Sequence, residues 1–141
     1  MSTFPILQRG YRNAAVRMLQ YLLNDRGVVL TVDGIFGPRT ETAVRGFQAA
    51  GGLQQDGIVG EMTWSRLIRT IQEGSSGAAV KAIQVILGRI VAQVQVDGVF
   101  GAETQAAATK FQADHGLQQD GIVGPQTWRA LANMAVLDSE D

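Results

Sequence analysis

The nine residues Gly52-Leu-Gln-Gln-Asp-Gly-Ile-Val-Gly60 occur again, unchanged, as Gly116-Leu-Gln-Gln-Asp-Gly-Ile-Val-Gly124. They form the longest identical run in a duplication that aligns residues 10–73 with 74–137 without a gap, with 28 identities in 64 positions. Most of the nine are turn formers rather than core formers. The sequence therefore predicts two units of one fold, in which the repeated turns either build the fold or present a site.

The duplication divides the 141 residues into two predicted units, 6–72 and 73–137, and an acidic tail, 138–141. A unit of about 60 residues buries only about 60% of the surface of its unfolded chain, so we expect the two units to pack together. The turn-rich stretch between them, residues 72–77, is too short to let them move independently. The tail has no apolar residue, and we expect it to fray.

The first helix of each unit is predicted from an apolar stripe at helical spacing. Asn13 is a suitable N-cap for the helix in the first unit. We expect this helix to end at Asn24 and its copy at Gly88, because Asn and Gly tolerate the left-handed conformation that ends helices. Alternating apolar residues at 28–32 and 92–96 then predict a short extended segment in each unit.

The later helices are predicted from the residues at their ends. Gly37-Pro38 suits the start of a second helix, and Gly52-Leu53 has the pattern of a Schellman stop. Gly60 precedes a third helix, on which Trp64 faces inward. Because the second copy repeats this order, the predicted fold class is mainly α: two tandem three-helix units, each with a short extended segment before an Asp-Gly turn.

Composition excludes several classes of function. The 12 basic and 13 acidic residues give a net charge of −1 with no Lys/Arg block, so nucleic acid is not an expected partner. The absence of cysteine excludes disulfides, thiol catalysis and Cys-based zinc sites. No apolar run approaches the roughly 18 residues of a membrane span, and the first ten residues lack the pattern of a signal peptide. We therefore expect no membrane insertion and no leader in the chain as given.

Three spaced motifs occur in the same order in both units. The first unit has Val32-Asp-Gly-Ile-Phe-Gly-Pro-Arg-Thr40, the nine-residue loop, and Thr63-Trp64, and the second unit matches each of them. This pattern resembles the peptidoglycan-binding-like domain family, a three-helix module attached to bacterial and phage cell-wall hydrolases. The resemblance implies that the chain binds peptidoglycan, through its glycan or its stem peptide, at the bacterial cell wall. It implies a non-catalytic role that needs no cofactor.

The turn carboxylates Asp33, Asp56, Asp97 and Asp120 have two interpretations. They could act as paired carboxylates of a glycosidase, or each side chain could cap its own Asp-Gly turn. The capping interpretation is favoured because Asp before Gly is a common turn pair. The same loops lack the alternating oxygen ligands of a calcium-binding EF-hand.

Other candidate ligand contacts also have a structural alternative. Gln48 and Gln112 could bind ligand or satisfy a loop backbone, and Trp64 and Trp128 could stack on sugar or lie in the core. Polar residues beside loops are better placed to contact a ligand. Their counterparts in the second unit are different residues, so we predict that the two sites are unequal. The pairs are Tyr11 with Ser75, Arg12 with Ser76, and Arg39 with Glu103.

His115 is the single histidine in the sequence. Zinc hydrolases need several ligands together, and a Ser-His-Asp triad needs a positioned partner set. A lone histidine supplies neither, so we expect no metal site and no enzymatic activity.

Three functions remain as alternatives. The first is non-catalytic wall binding through two linked modules, where tethering raises the overall affinity. The second is a structural or docking component of a phage particle or contractile injection machine, with a protein as partner. The third is the targeting part of a cell-wall hydrolase; a minimal hydrolase in its own right is disfavoured by the missing catalytic residues. The sequence does not indicate an export route.

Overall fold

The computed structural model describes residues 3–91 and 93–140. Within these ranges the chain forms six α-helices, three in each unit, joined by turns. The helices of the first unit are α1 (Ala14–Asp25), α2 (Pro38–Ala50) and α3 (Glu61–Leu67). Those of the second unit are α4 (Ala78–Ile90), α5 (Ala102–Asp114) and α6 (Pro125–Ala135). The predicted fold class is confirmed.

The β-type pairing lies after the Asp-Gly turns rather than before them. In the part of the chain that the structure describes, residues 28–32 and 94–96 belong to no strand, and Ala92 lies outside the described residues. Ile35 and Val59 instead form single bridges with Arg12 and Leu7. In the second unit, Val99 and Val123 bridge Ser76 and Ile71 in the same way. Each Asp-Gly turn is thus tied to the segment that precedes helix one of its unit.

The predicted end of the first helix was wrong in both units. Asn24 lies inside α1, where its amide faces the Val28 carbonyl at 2.8 Å, and the left-handed residue is Gly27 with φ +88°. Gly88 lies inside α4, where a Cβ would stand 2.9 Å from the carbonyl oxygen of Val94. Gly88 is therefore explained by the close approach of another backbone, not by a helix stop.

The ends of the second helices are as predicted. Pro38 is the first residue of α2. After α2, the N–H of Leu53 donates to Gln48 O at 2.8 Å and the N–H of Gly52 to Ala49 O at 3.2 Å, with Gly52 at φ +70°. These two bonds define a Schellman motif. Leu117 repeats the first of them with Gln112 O, also at 2.8 Å.

Each unit contains a second, shorter repeat that the sequence analysis missed. The pattern Asp-Gly-(Ile/Val)-(Phe/Val)-Gly-x-x-Thr occurs four times, and a buried glutamine from the preceding helix serves each copy. We call each set of glutamine, aspartate, glycine and threonine a turn network. The four are Gln20 with Asp33, Gly34 and Thr40; Gln48 with Asp56, Gly57 and Thr63; Gln84 with Asp97, Gly98 and Thr104; and Gln112 with Asp120, Gly121 and Thr127.

The turn networks share the same hydrogen bonds. The glutamine Nε2 lies 2.9–3.1 Å from the aspartate Oδ1 and 3.1–3.2 Å from the threonine Oγ1. The glutamine Oε1 accepts the glycine N–H at 2.9–3.0 Å. All four glycines have φ between +68° and +77°, a conformation that side chains with a Cβ rarely adopt. Each network therefore ties one turn to the helix before it and to the helix after it.

Two turn carboxylates are stabilised in their charged form. At Asp33, burial raises the pKa of the carboxyl group. Hydrogen bonds from the Ile35 N–H, from Gln20 and from its own N–H lower the pKa, as does the charge of Arg17. These effects together outweigh burial, so the pKa lies below its ordinary value. At Asp97, the N–H of Val99 and the Gln84 amide hold the pKa below its ordinary value. Both carboxylates thus contribute more to folding when ionised.

A buried tryptophan closes each unit. Trp64 Nε1 donates to Pro5 O at 2.8 Å, and Trp128 Nε1 donates to Arg69 O at 2.7 Å. Phe4 stacks on Trp64 with ring centroids 5.2 Å apart. Because Arg69 contacts the second unit, and Ile71 bridges Val123 there, we propose a boundary before Arg69 rather than after residue 72.

The two units share one hydrophobic core, as expected from their small size. α1 packs against α4, and both helices bury side chains around most of their circumference. The end of α1 meets the start of α4, where Asp25 Oδ1 accepts the Ala79 N–H at 3.3 Å and Oδ2 lies 3.0 Å from Arg69 Nε. The helices are therefore antiparallel, and each covers apolar surface of the other unit.

The expectation that the acidic tail frays was wrong for residues 138–140, and Asp141 lies outside the described residues. The carbonyl of Asp138 accepts the Ala14 N–H at 2.9 Å, and the N–H of Glu140 donates to Arg12 O at 3.0 Å. The Glu140 carboxylate pairs with Arg17 at 2.5 Å and with Arg89 at 3.3 Å. The hydrogen bond from Arg17 lowers the pKa of Glu140 despite the opposing effect of burial. The tail thus fastens the second unit to the first.

Replacing one network glutamine with leucine tests the importance of a turn network. Gln84→Leu leaves the Gly98 N–H and the Thr104 hydroxyl without their partner, and each unsatisfied buried group costs about 1–3 kcal/mol. We expect the free energy of unfolding, measured in urea, to fall by about 2–6 kcal/mol. Gln119→Leu, at an exposed position, is the control and should change it by less than about 0.5 kcal/mol. Equal effects of the two substitutions would contradict the assignment.

Acid should destabilise the protein through Asp33, Asp97 and Glu140. Their folded pKa values lie below the unfolded values of about 3.9 for Asp and 4.3 for Glu, so their stabilisation is present above those values and lost as pH falls through the folded pKa. We expect these groups to hold Tm steady from about pH 7 to 5 and to lower it below about pH 4. Asp33→Asn combined with Asp97→Asn should make that fall shallower in a calorimetric series. An unchanged pH profile would show that these carboxylates do not contribute.

Candidate functional site

The four turn carboxylates are exposed, but their geometry serves the turns. Each aspartate Oδ1 accepts the backbone N–H two residues along the chain, at 2.9–3.0 Å, in addition to the glutamine amide. Each aspartate is held in its own turn by its own glutamine. This geometry supports turn capping over a pair of catalytic carboxylates.

The amide and indole candidates lie inside the protein. Gln48 and Gln112 are each 1% exposed, with their polar atoms engaged in the turn networks. Trp64 and Trp128 are 0% exposed. Neither indole presents a face to solvent on which a sugar could stack.

The polar candidates beside loops lie at the surface. Tyr11, Arg12, Arg39 and Ser76 are exposed, and Ser75 is half-buried. The backbone of Tyr11 accepts the Phe36 N–H at 2.9 Å, and Ser75 Oγ accepts the Gln72 N–H at 3.1 Å. The backbones at 11–12 and 75–76 therefore support the turns, which leaves the side chains of Tyr11, Arg12 and Arg39 available for contacts.

Two equivalent grooves open beside the nine-residue loops, and we call them the loop grooves. Their volumes are about 440 Å³ in the first unit and about 460 Å³ in the second. Each is bounded by the loop and by the first turn of the third helix of its unit. Residues at matching positions line both, including Leu53 and Leu117, Gln54 and Gln118, Ile58 and Ile122, and Met62 and Gln126.

A further groove lies in the first unit, between the loop after α1 and the start of α2; we call it the Arg39 groove. Its larger lobe has a volume of about 660 Å³ and its smaller lobe about 370 Å³. Residues 28–31 form one wall, and Pro38, Arg39 and Ala43 lie on the other. Sequence reasoning singled out Arg39 but missed this loop, because residues 28–32 alternated like a strand with one buried face.

The smaller lobe of the Arg39 groove is built like a loop groove. The aspartate and the threonine of a turn network line each of the three: Asp33 and Thr40 in the smaller lobe, and the corresponding residues of the second and fourth networks in the loop grooves. The residue immediately before the network threonine lines each groove and differs in each. It is Arg39, Met62 and Gln126 in the three grooves, and Glu103 at the matching place in the third network.

Two kinds of site are not found in the described part of the chain. Residues 3–91 and 93–140 contain no group of three or more His, Asp or Glu side chains placed to hold a metal ion. His115 lies at the end of α5, with Nδ1 2.9 Å from Phe111 O and its ring stacked on Phe111. None of the described helices is long and apolar enough to cross a membrane.

Comparison with known proteins identifies several relatives of the chain. It is 36% identical over 99 residues to the zinc D-Ala-D-Ala carboxypeptidase of Streptomyces albus G, an alignment that covers 68% of this chain and 38% of that protein. An N-acetylmuramoyl-L-alanine amidase of Mycobacterium tuberculosis is 33% identical over 153 aligned positions, covering 89% of this chain and 37% of the amidase. The chain thus spans less than half the length of either relative.

The chain is also similar to the crystal structure of a peptidoglycan-binding protein from Clostridioides difficile. That alignment covers 47% of this chain and 42% of the other, with 41% sequence identity and a TM-score of 0.45. The family model described as "Putative peptidoglycan binding domain" matches residues 12–67 and again residues 76–131. These two matches cover most of both units. The chain therefore belongs to the peptidoglycan-binding domain family and carries two tandem copies of its domain.

Proposed function

We propose that this chain binds bacterial peptidoglycan without cleaving it, through both of its units, at the cell wall. The observation that carries the proposal is that each unit matches the family separately and that each keeps the same groove beside the same nine-residue loop. A unit that had lost binding would have no functional reason to keep this loop identical. Fold alone explains the network residues of the loop but not its exposed glutamines.

The loop grooves suit a polar, extended ligand. Gln54 and Gln118 are exposed, and neither side chain is engaged in the described hydrogen bonds, so their amides are free to donate and accept. Ile58 and Ile122 provide a partly exposed apolar surface beside them. A few polar groups around a small apolar surface are typical of sites that bind and orient a carbohydrate or a peptide without reacting with it.

The shared core fixes how the two grooves are presented. Because α1 and α4 pack together and the tail joins both units, the grooves are carried on one body rather than on two flexibly linked domains. Binding at one groove then places the other close to the same polymer. Such linkage can raise affinity by about 10² to 10⁴ over a single site when the spacing of ligand sites matches.

The names of the relatives suggest which kind of enzyme this wall binding serves. The amidase and the carboxypeptidase are wall enzymes by name, and this chain corresponds to 37–38% of their lengths. We propose that the chain supplies wall targeting to a hydrolase activity located elsewhere, either on the same polypeptide or on a partner. A docking role in a larger protein assembly is the competing proposal.

Co-sedimentation with purified sacculi tests wall binding and locates it. Gln54→Trp and Gln118→Trp each place a bulky side chain in one loop groove. We expect the unaltered chain to pellet with sacculi, and each single variant to lose about 10²-fold or more of its apparent affinity because the tethering gain is lost. The double variant should bind sacculi more weakly than either single variant. Gln95→Trp, at an exposed position outside the grooves, is the control.

The outcomes separate the function from its location. Failure of the unaltered chain to pellet would overturn wall binding, and a stable protein complex in native mass spectrometry would then favour docking. Full retention of the double variant would leave wall binding in place and exclude the loop grooves as its site. Release of dye from labelled sacculi above background would contradict the non-catalytic role.

A further inference from the structure

The Arg39 groove differs in chemistry from the two loop grooves. Its walls are largely apolar and include Leu30, Pro38 and Ala43. Val29 stands at its rim and is 98% exposed. Apolar surface gathered in one groove of this size favours a ligand that covers it with small apolar groups of its own.

Arg39 supplies the positive charge in this groove, and it is the charged residue that lines the larger lobe. It lines both lobes, and its guanidinium forms no ion pair with any carboxylate in residues 3–91 and 93–140. The nearby Glu41 is paired with Arg9 and Arg45, at 3.5 and 3.8 Å. The carboxylate of Asp33 lines the smaller lobe, where its Oδ1 accepts hydrogen bonds from Ile35 and Gln20, and it is not among the residues that line the larger lobe. A ligand carboxylate therefore complements the larger lobe.

The matching region of the second unit has the opposite charge. Glu103 replaces Arg39, and Ala102 replaces Pro38. The backbone of Val94 lies directly against Gly88, and the Val94 side chain is buried. The equivalent position in the first unit is Leu30, which is only half-buried. The units thus differ at this place in both charge and loop position.

We propose that the Arg39 groove binds the carboxylate end of a short peptide with small apolar side chains, and that the first unit thereby recognises the peptidoglycan stem peptide. This rests on the proposed wall binding and names the part of the polymer that the first unit takes. Arg39 is the specificity-determining residue, because the turn network fixes Thr40 and presents the preceding side chain to the groove. The second unit, with Glu103, does not share this preference.

A titration with a defined peptide tests the proposal. The probe is N-acetyl-Lys-D-Ala-D-Ala with a free carboxylate, compared with the same peptide as its C-terminal amide, followed by NMR on the full chain. We expect the carboxylate form to shift signals of residues 28–31 and 38–43 and to bind about tenfold more tightly than the amide. Added salt should reduce this difference, because the contact is at the surface.

Matched substitutions assign the effect to the groove. Arg39→Gln should abolish the preference for the carboxylate form, whereas Glu103→Gln should leave it unchanged. Thr42→Trp fills the larger lobe and should abolish peptide binding, whereas Ala106→Trp, at the matching exposed position of the second unit, should not. These four positions are exposed, and circular dichroism checks that each variant is folded.

Three results would overturn the proposal: equal binding of acid and amide, an unchanged preference in Arg39→Gln, or shifts confined to other residues. Co-sedimentation of the same proteins with sacculi keeps the two proposals apart. Retention on sacculi without a carboxylate preference would overturn only the role of the Arg39 groove. Absence of retention by the unaltered chain would overturn wall binding itself.

Discussion

The structure depends on one buried side-chain amide, used four times. A glutamine Nε2 has two protons, yet three acceptors lie within 3.2 Å of it in each network: an aspartate oxygen, a backbone carbonyl and a threonine hydroxyl. An amide buried without such partners would cost several kcal/mol, about 2–7 on the usual scales. The fold therefore needs the aspartate, the glycine and the threonine wherever it has the glutamine. This requirement explains why residues that form turns, rather than residues that form the core, are the most strictly repeated.

The end of α2, which is set by nearby residues, could be predicted from the sequence, whereas features set by distant residues could not. The Schellman end of α2 followed from Gly52 and Leu53 because both bonds span fewer than six residues. The role of Gly88 could not be predicted, since its reason is the approach of Val94. The docked tail depends on Arg17, 123 residues away from Glu140. The fourfold repeat was hidden because the glutamine precedes its aspartate by 13 residues in two networks and by 8 in the others, so no single offset aligns them.

In the candidate site, too, some features could be predicted from the sequence and others could not. Residue type alone indicated a structural role for the turn carboxylates, the amides and the indoles. Buried amides and tryptophans usually form hydrogen bonds with the backbone. The grooves could not be predicted, because each combines a loop with the first turn of a helix whose relative position depends on a turn network. Arg39 was a candidate from its charge and its place beside a loop. Val29 was not, because alternation suggested one face of a strand.

The turn network also explains how such a small protein could acquire different binding surfaces. The glutamine holds the threonine, and in the first, second and fourth networks the residue before the threonine lines a groove without belonging to the network. Substitution there changes the groove and leaves every network bond intact, so its cost to stability is that of an ordinary surface change, within about 0.5 kcal/mol. Arg39, Met62, Glu103 and Gln126 occupy this position in the four networks. Cationic, apolar, anionic and neutral polar side chains are thus carried on one scaffold, so the two units differ in surface chemistry at this position while they keep the same fold.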